Sequence, residues 1–391
     1  MNGLKRRAVF ATMTIMLVCS GISSSIVAQS ITVVSTLVDA DALARPHDVE
    51  LVGDLAFVPG KAGSLAIIDI ADPASPSILW HINEDSERME DAETVLLTPP
   101  FLFLGSNDFN SIDISDPLHP VFLKTISDKP RIQRINGMVR RGDHIIAAGK
   151  EGYLSVFNVS EPRDPKYLGA YNAKENDNMG WPHDIDMFGE RNEYIIVVDP
   201  ARFRMEGLPG HVAIYLIADP ESGEFLPVGK WTLVSQITGY DLDGVNRVDV
   251  FGSFACITGS RGTPLDERGN VVLIDISDPG KMKRTALLPT SDASGPNGLT
   301  VAGKVAFVAA GQTISVVDIS DPYRPVYLSD ETYTSVFPDG VDNAHDLVYR
   351  DGYLYVTGQN SSSFGILKIH DKRILQLASD EDYQAMLKDI K

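Results

Sequence analysis

Apolar and polar residues alternate along this chain in runs of four to eight, and the runs end at Gly, Pro, Asp or Asn. Residues 47–52 (His-Asp-Val-Glu-Leu-Val) alternate cleanly, and Gly53-Asp54 marks a turn. Residues 55–58 (Leu-Ala-Phe-Val), 65–70 (Leu-Ala-Ile-Ile-Asp-Ile) and 77–82 (Ser-Ile-Leu-Trp-His-Ile) follow at short intervals. A two-residue period bounded by turn formers is the signature of short strands. Nothing between the runs is long enough for a crossover helix, so consecutive strands are expected to be antiparallel neighbours.

The third of these strands carries a phrase that recurs. Residues 64–73 read Ser-Leu-Ala-Ile-Ile-Asp-Ile-Ala-Asp-Pro, and close copies stand at 110–117, 154–162, 272–279 and 314–322, with a weaker one at 213–220. Repetition at this spacing denotes a modular architecture in which each unit buries its faces against its neighbours. Seven units begin near His47, Glu93, Asn136, His183, Asn246, Asn297 and His345. The pattern therefore predicts an all-β protein, a seven-bladed β-propeller of four-stranded antiparallel blades. The seventh unit supplies only three strands. The run 31–38 (Ile-Thr-Val-Val-Ser-Thr-Leu-Val) has the look of a fourth strand, so the N-terminal strand is expected to close the last blade and remove two open edges.

The repeated phrase resembles that of the LVIVD-repeat family of extracytoplasmic β-propeller proteins, and the resemblance runs over nearly the whole chain after residue 28. It implies the fold and an extracytoplasmic location, and little about activity.

The N-terminus fits that location. Lys5, Arg6 and Arg7 precede an apolar run over 8–18, and Ile26-Val27-Ala28 offers a cleavage site, so 1–28 is expected to be a signal peptide and the protein to be secreted or periplasmic. No later segment reads as transmembrane. Residues 29–371 then form the propeller. Residues 372–391 form a helical tail, with Ser379 as a cap for a short helix through 385–387. Only Cys256 remains after cleavage, within the apolar run 254–257, and it reads as a buried hydrophobe. The formal charge of −19 argues against nucleic acid and anionic membranes as partners.

The repeat brings several sets of polar residues to equivalent positions. Asp72, Asp116, Asp278 and Asp321 precede prolines, and Asp69, Asp113, Asp275 and Asp318 stand three residues earlier; both sets read as turn formers rather than calcium ligands. The starts of the blades are more informative, because the first strand of a propeller blade lines the channel. His47, Glu93, Asn136, His183, Asn246, Asn297 and His345 are expected to ring one mouth. Three readings of this ring stand open. It is a structural hydrogen-bonded ring, a transition-metal site (zinc, copper or iron) on His47, His183 and His345, or a metal-free polar ligand site that includes Glu93, Asn136, Asn246 and Asn297. Asp48, Asp184 and Asp346 follow the three histidines as possible orienting groups. Arg45, Arg134 and Arg247 lie nearby and either attract an anion or only balance a very acidic body. His81, His119, His144, His211 and His370 read as incidental surface residues.

The long insertions at 200–211 and 259–270 and the long connections at 171–181 and 329–342 fall on the same face as the ring, which is where binding usually resides. No hydrolase elbow, zincin motif or phosphate-cradling loop is present. The functional expectation is a scaffold binding a protein, glycan or small-molecule ligand on its loop-rich face. The alternative is a metal-dependent oxidoreductase or lyase with axial histidines and Glu93 as ligand or general base.

Overall fold

The computed structural model describes residues 30–86, 88–200, 209–259, 269–290, 295–333 and 344–379. They form seven four-stranded antiparallel sheets arranged as the blades of a propeller. Blade 1 comprises Glu50–Val52, Leu55–Gly60, Ser64–Asp69 and Ser77–Asn83, and blades 2 to 6 repeat that order along the chain. Blade 7 takes Ala344–Arg350, Tyr353–Gly358 and Ser363–Ile369, and its outermost strand is Ile31–Val38 from the N-terminus. The pairing runs from Ile31 opposite Ile369 to Val38 opposite Ser363, with a bulge between Val33 and Ser35. The predicted closure is thus present, and blade 7 acquires its fourth strand from the other end of the chain.

The core lies between the blades. Among the described residues seven hydrophobic clusters occur, one at each contact between neighbours. Val, Ile, Leu, Ala and Phe from the two middle strands of one blade interdigitate with those of the next, for example Ile67 and Leu65 of blade 1 with Leu102 and Leu104 of blade 2. Both faces of each middle strand are buried, which is why these segments read as continuous apolar runs. The N-terminal strand serves two clusters: Ile31 is buried between blades 6 and 7, while Leu37 packs on the cluster between blades 7 and 1.

The repeated acidic residues are turn formers. Asp72, Asp116, Asp278 and Asp321 each accept a hydrogen bond at 3.0 Å from the backbone N–H two residues on. Asp69, Asp113, Asp275 and Asp318 do the same at 2.9–3.0 Å. Carboxylates that take a local N–H in this way preset the bend between third and fourth strands.

The described part of the C-terminal tail is helical. The helix is Lys372–Ala378, and its start is fixed by the Asp371 carboxylate, which accepts from the N–H groups of Arg373 and Ile374. Ser379 follows the helix end; 380–391, and with them the helix expected through 385–387, lie outside the described residues. Ile374 and Ala378 sink into the cluster between blades 6 and 7, and Lys304 N–H donates to Leu377 O at 2.9 Å. Gly303 makes that approach possible: its φ is +55°, and a Cβ there would stand 2.3 Å from Leu377 O. The helix is docked on the propeller. Among the described residues no helix is long and apolar enough to cross a membrane.

Candidate site at the mouth of the central channel

The first strand of each blade faces the axis, and the residue at its start is set by backbone geometry repeated from blade to blade. Two positions upstream, Arg45, Asp91, Arg134, Gly244 and Gly295 all have left-handed φ, between 52° and 73°. In blades 3, 5, 6 and 7 a β-bulge follows, and the extra residue is Asn136, Asn246, Asn297 or His345. A bulge removes one residue from the ladder and re-aims its side chain. Here it turns the ring residue out of the blade.

These side chains bond around the ring, blade to blade. His47 Nδ1 lies 2.8 Å from Glu93 O, His183 Nδ1 2.9 Å from Asn246 O, and His345 Nδ1 2.9 Å from His47 O. Asn136 Nδ2 donates to His183 O at 2.9 Å, and Asn246 Nδ2 donates to the side-chain oxygen of Asn297 at 2.8 Å. Since a carbonyl can only accept, Nδ1 of each imidazole carries the proton. Asn136 puts an N–H donor on the equivalent backbone acceptor, as the histidines do, whereas Asn246 reaches the next ring side chain. Burial, reinforced by the nearby cations, holds all three imidazoles well below their ordinary pKa, so they are neutral.

Glu93 is the exception in the ring, having no N–H to donate. It is fully buried, and two lysines come to it instead. Lys61 Nζ lies 3.0 Å from Oε1, and Lys150 Nζ bonds Oε2. Burial alone raises a carboxyl pKa, but the two ammonium groups outweigh it and keep Glu93 ionised. His47 Nε2 stands 3.4 Å from Oε2, a contact rather than a hydrogen bond while the ring is neutral. Lys150 is only 2% exposed. Burial lowers its pKa, Glu93 opposes that, and Lys61 adds to it; the result is an ammonium brought down to about 7.

A cavity of about 230 Å³ opens above the ring. Its wall holds His47, His183, His345, Asn246 and Asn297, four cationic side chains (Lys61, Lys150, Arg134 and Arg247), and Trp181, Pro200 and Gln359. Among the described residues no carboxylate lines it. Arg134 lies over the Trp181 ring at 5.2 Å and faces Asp91 at 3.5 Å. Arg247 is 7% exposed and pairs with Asp346 at 3.6 Å. Of the residues nominated from sequence, Arg45 stands apart: it is exposed and outside the cavity wall. Glu93 lies behind the lysines, and Asn136 faces the channel below.

Lys61 and Lys150 were not nominated from sequence, although a signal exists. Both follow the glycine that ends a second strand, in Gly60-Lys61-Ala62-Gly63 and Gly149-Lys150-Glu151-Gly152, and the equivalent positions in blades 4 and 7 are Pro200 and Gln359. Aligning second-strand ends as well as first-strand starts yields this second ring.

Below Arg247 the channel widens to about 510 Å³ and changes character. Asp48, Glu50, Asp184, Asp186, Asp249 and Asp346 line it. Several of these cap the free edge of the neighbouring inner strand: Asp48 accepts from Val95 N at 3.0 Å, Asp184 from Val248 N at 3.0 Å, Asp186 from Val250 N at 2.7 Å and Asp249 from Val301 N at 2.7 Å. Asp48 and Asp184 therefore bind backbone of the next blade and do not orient the imidazoles beside them in sequence. Burial raises Glu50 to about 8, Asp186 to about 7 and Asp184 to about 6.

The three histidines do not fit a bound transition metal. Among the described residues no group of three or more His, Cys, Asp or Glu side chains is placed to hold a metal ion. Each Nδ1 is committed to a carbonyl, and the charges of Lys61, Lys150 and Arg247, which already act on all three imidazoles, oppose a further positive charge. Among the incidental histidines, His211 is buried (5% exposed) because it lies on a middle strand of blade 4. The insertion residues 201–208 and 260–268, and 334–343 of the last long connection, lie outside the described residues. The connection at 171–181 contains a helical turn, Ala173–Asp177, capped by Asn172.

Comparison with known proteins supports the architecture. The LVIVD repeat family model matches residues 45–83 and 297–329. No curated protein matches the sequence. A chain in the crystal structure of the mitotic checkpoint complex aligns over 94% of this chain and 100% of its own length, at 10% identity and a TM-score of 0.63. The computationally designed Ika8 protein aligns over 86% of this chain and 100% of its own length, at 11% identity and a TM-score of 0.54. At such identities the likeness is one of fold alone.

Proposed function

We propose that this LVIVD-repeat propeller is an extracytoplasmic binding protein whose ligand is a small organic anion held in the cavity at the channel mouth. The observation that carries this reading is the concentration of Lys61, Lys150, Arg134 and Arg247 in the wall of one cavity, with no carboxylate among its described lining residues, in a chain whose formal charge is −19. Cations gathered against the net charge of the molecule, in a partly dehydrated hollow, favour a complementary anion. Glu93 neutralises part of two of them and holds them in place, which leaves positive charge directed at the cavity.

The neutral imidazoles and the amides of Asn246 and Asn297 supply polar contacts, and Trp181 supplies an apolar wall that favours an organic group over a bare inorganic ion. A volume of about 230 Å³ suits a ligand of metabolite size. The N-terminal pattern of a basic cluster, an apolar run and Ala28 supports export.

Isothermal titration with a panel of small mono- and dicarboxylates, sulfonates and phosphate esters tests the reading. The expected result is one-to-one binding by at least one class, weakened by added salt, and weakened about tenfold or more in Lys61→Gln, consistent with loss of one charge-assisted contact. Absence of binding by every class, or affinity unaffected by Lys61→Gln, contradicts it.

A further inference from the structure

Lys150 has more to offer than its charge. It is one of the largest fully buried side chains in the protein, yet it lines the cavity. Lys61 and Lys150 are held side by side on the two oxygens of a single buried carboxylate, Glu93. A second ammonium beside a desolvated lysine is the arrangement that frees an amine for attack on carbonyl groups. Burial and Lys61 both push Lys150 toward the neutral amine. Arg134 and Arg247, in the same wall, face Asp91 and Asp346, and a guanidinium has five N–H donors, enough to take a ligand carboxylate as well.

We propose that Lys150 forms a reversible imine with a small 2-oxo acid, whose carboxylate is held by the neighbouring cations. The inference rests on the anion-binding reading above and names its substrate class. A 2-oxo acid joins the two features the cavity offers, a carboxylate for the cations and an adjacent carbonyl carbon for the amine.

The step balances without an added reagent. The Lys150 ammonium passes one proton to Glu93. The freed nitrogen lone pair forms the C–N bond as the carbonyl π pair moves to oxygen, and a proton passes from nitrogen to that oxygen. Glu93 then returns its proton to the hydroxyl, the C–O bond breaks, and water leaves. The product is an iminium paired with the regenerated Glu93 carboxylate. Two of the three ammonium protons leave in water and one remains on nitrogen. Glu93 and Lys150 are then the catalytic residues of imine formation, and Lys61 is a positioning residue acting through Glu93.

The full-length protein, incubated with pyruvate and cyanoborohydride near neutral pH and followed by intact mass and peptide mapping, tests this. The expected result is a single reduced adduct on Lys150, formed more than about tenfold faster than on any surface lysine because surface ammonium groups stay protonated. It is absent in Lys150→Arg, whose thermal melt shows it folded. Calorimetric titration with pyruvate is run alongside, with Lys150→Met as a second variant should the arginine fail to fold. Adducts spread over surface lysines, or unchanged by either substitution, overturn the inference. Saturable pyruvate binding without a Lys150 adduct overturns the imine alone and leaves anion binding standing. Neither binding nor adduct for pyruvate, together with silence across the wider anion panel, overturns both.

Discussion

At the scale of single residues, the ring explains a substitution pattern that the repeat leaves puzzling. His47, His183, His345 and Asn136 are alike because Nδ1 of one type and Nδ2 of the other reach the same backbone carbonyl on the next blade. His183→Asn should therefore cost little, whereas His183→Ala should cost about 1–2 kcal/mol by stranding the buried Asn246 carbonyl. Urea denaturation of the two variants checks this, and equal losses contradict it. The ring positions were legible in sequence, since blade alignment alone places His47, His183 and His345 together. Their role was not, because a spacing does not say whether a nitrogen faces a metal or a carbonyl. Lys61 and Lys150 went unread for a different reason: a Gly-Lys pair at a strand end is ordinary turn chemistry, and only the buried Glu93 between them makes it a site.

At the scale of elements, the N-terminal strand carries the most. Ile31–Val38 pairs with Ser363–Ile369 and contributes to two of the seven inter-blade clusters. Ile31 is fully buried, so Ile31→Ala should destabilise the propeller by about 2–5 kcal/mol. Removing residues 30–38 should expose the edge of blade 7 and produce association or unfolding, read by chemical denaturation and light scattering. A fully stable monomer lacking that strand contradicts the closure. This closure could be read from the seventh unit's missing strand and the spare one at the other end. The bulges at Asn136, Asn246, Asn297 and His345 could not, since one extra residue in a ladder leaves no mark in composition. The helix Lys372–Ala378 starts at the Asp371 cap, and its docking through Ile374 and Ala378 leaves no periodic mark in so short a segment.

At the scale of the whole molecule, charge is sorted along the axis, with cations in the mouth, carboxylates below, and Arg247 lining both cavities. The net charge of −19 conceals this, because it sums over a surface and a channel of different sign. The lower channel makes stability depend on pH. Glu50 is raised to about 8 by burial and by Asp48, so the folded state binds a proton that the unfolded chain releases near pH 4 to 5. Its contribution is fully present below that range and is lost as pH rises through about 8. The three histidines act in the opposite sense, since their neutral folded forms lose stability as pH falls below about 6.5. Paired comparison isolates the carboxyl. Glu50→Gln should gain stability relative to the parent between pH 5 and 9, by about 1 kcal/mol given that its side chain faces water in the channel. Parallel pH profiles contradict that assignment.

The central claim is that an acidic propeller holds an anion at one mouth of its channel. The most direct measurement is a crystal structure in bromide solution, with the ions located by anomalous scattering. The account predicts a bromide between Lys61, Lys150, Arg134 and Arg247, absent from the carboxylate-lined channel below and displaced when an organic anion that binds in titration is added. Bromide confined to the outer surface, with the mouth free of anions at high concentration, contradicts it.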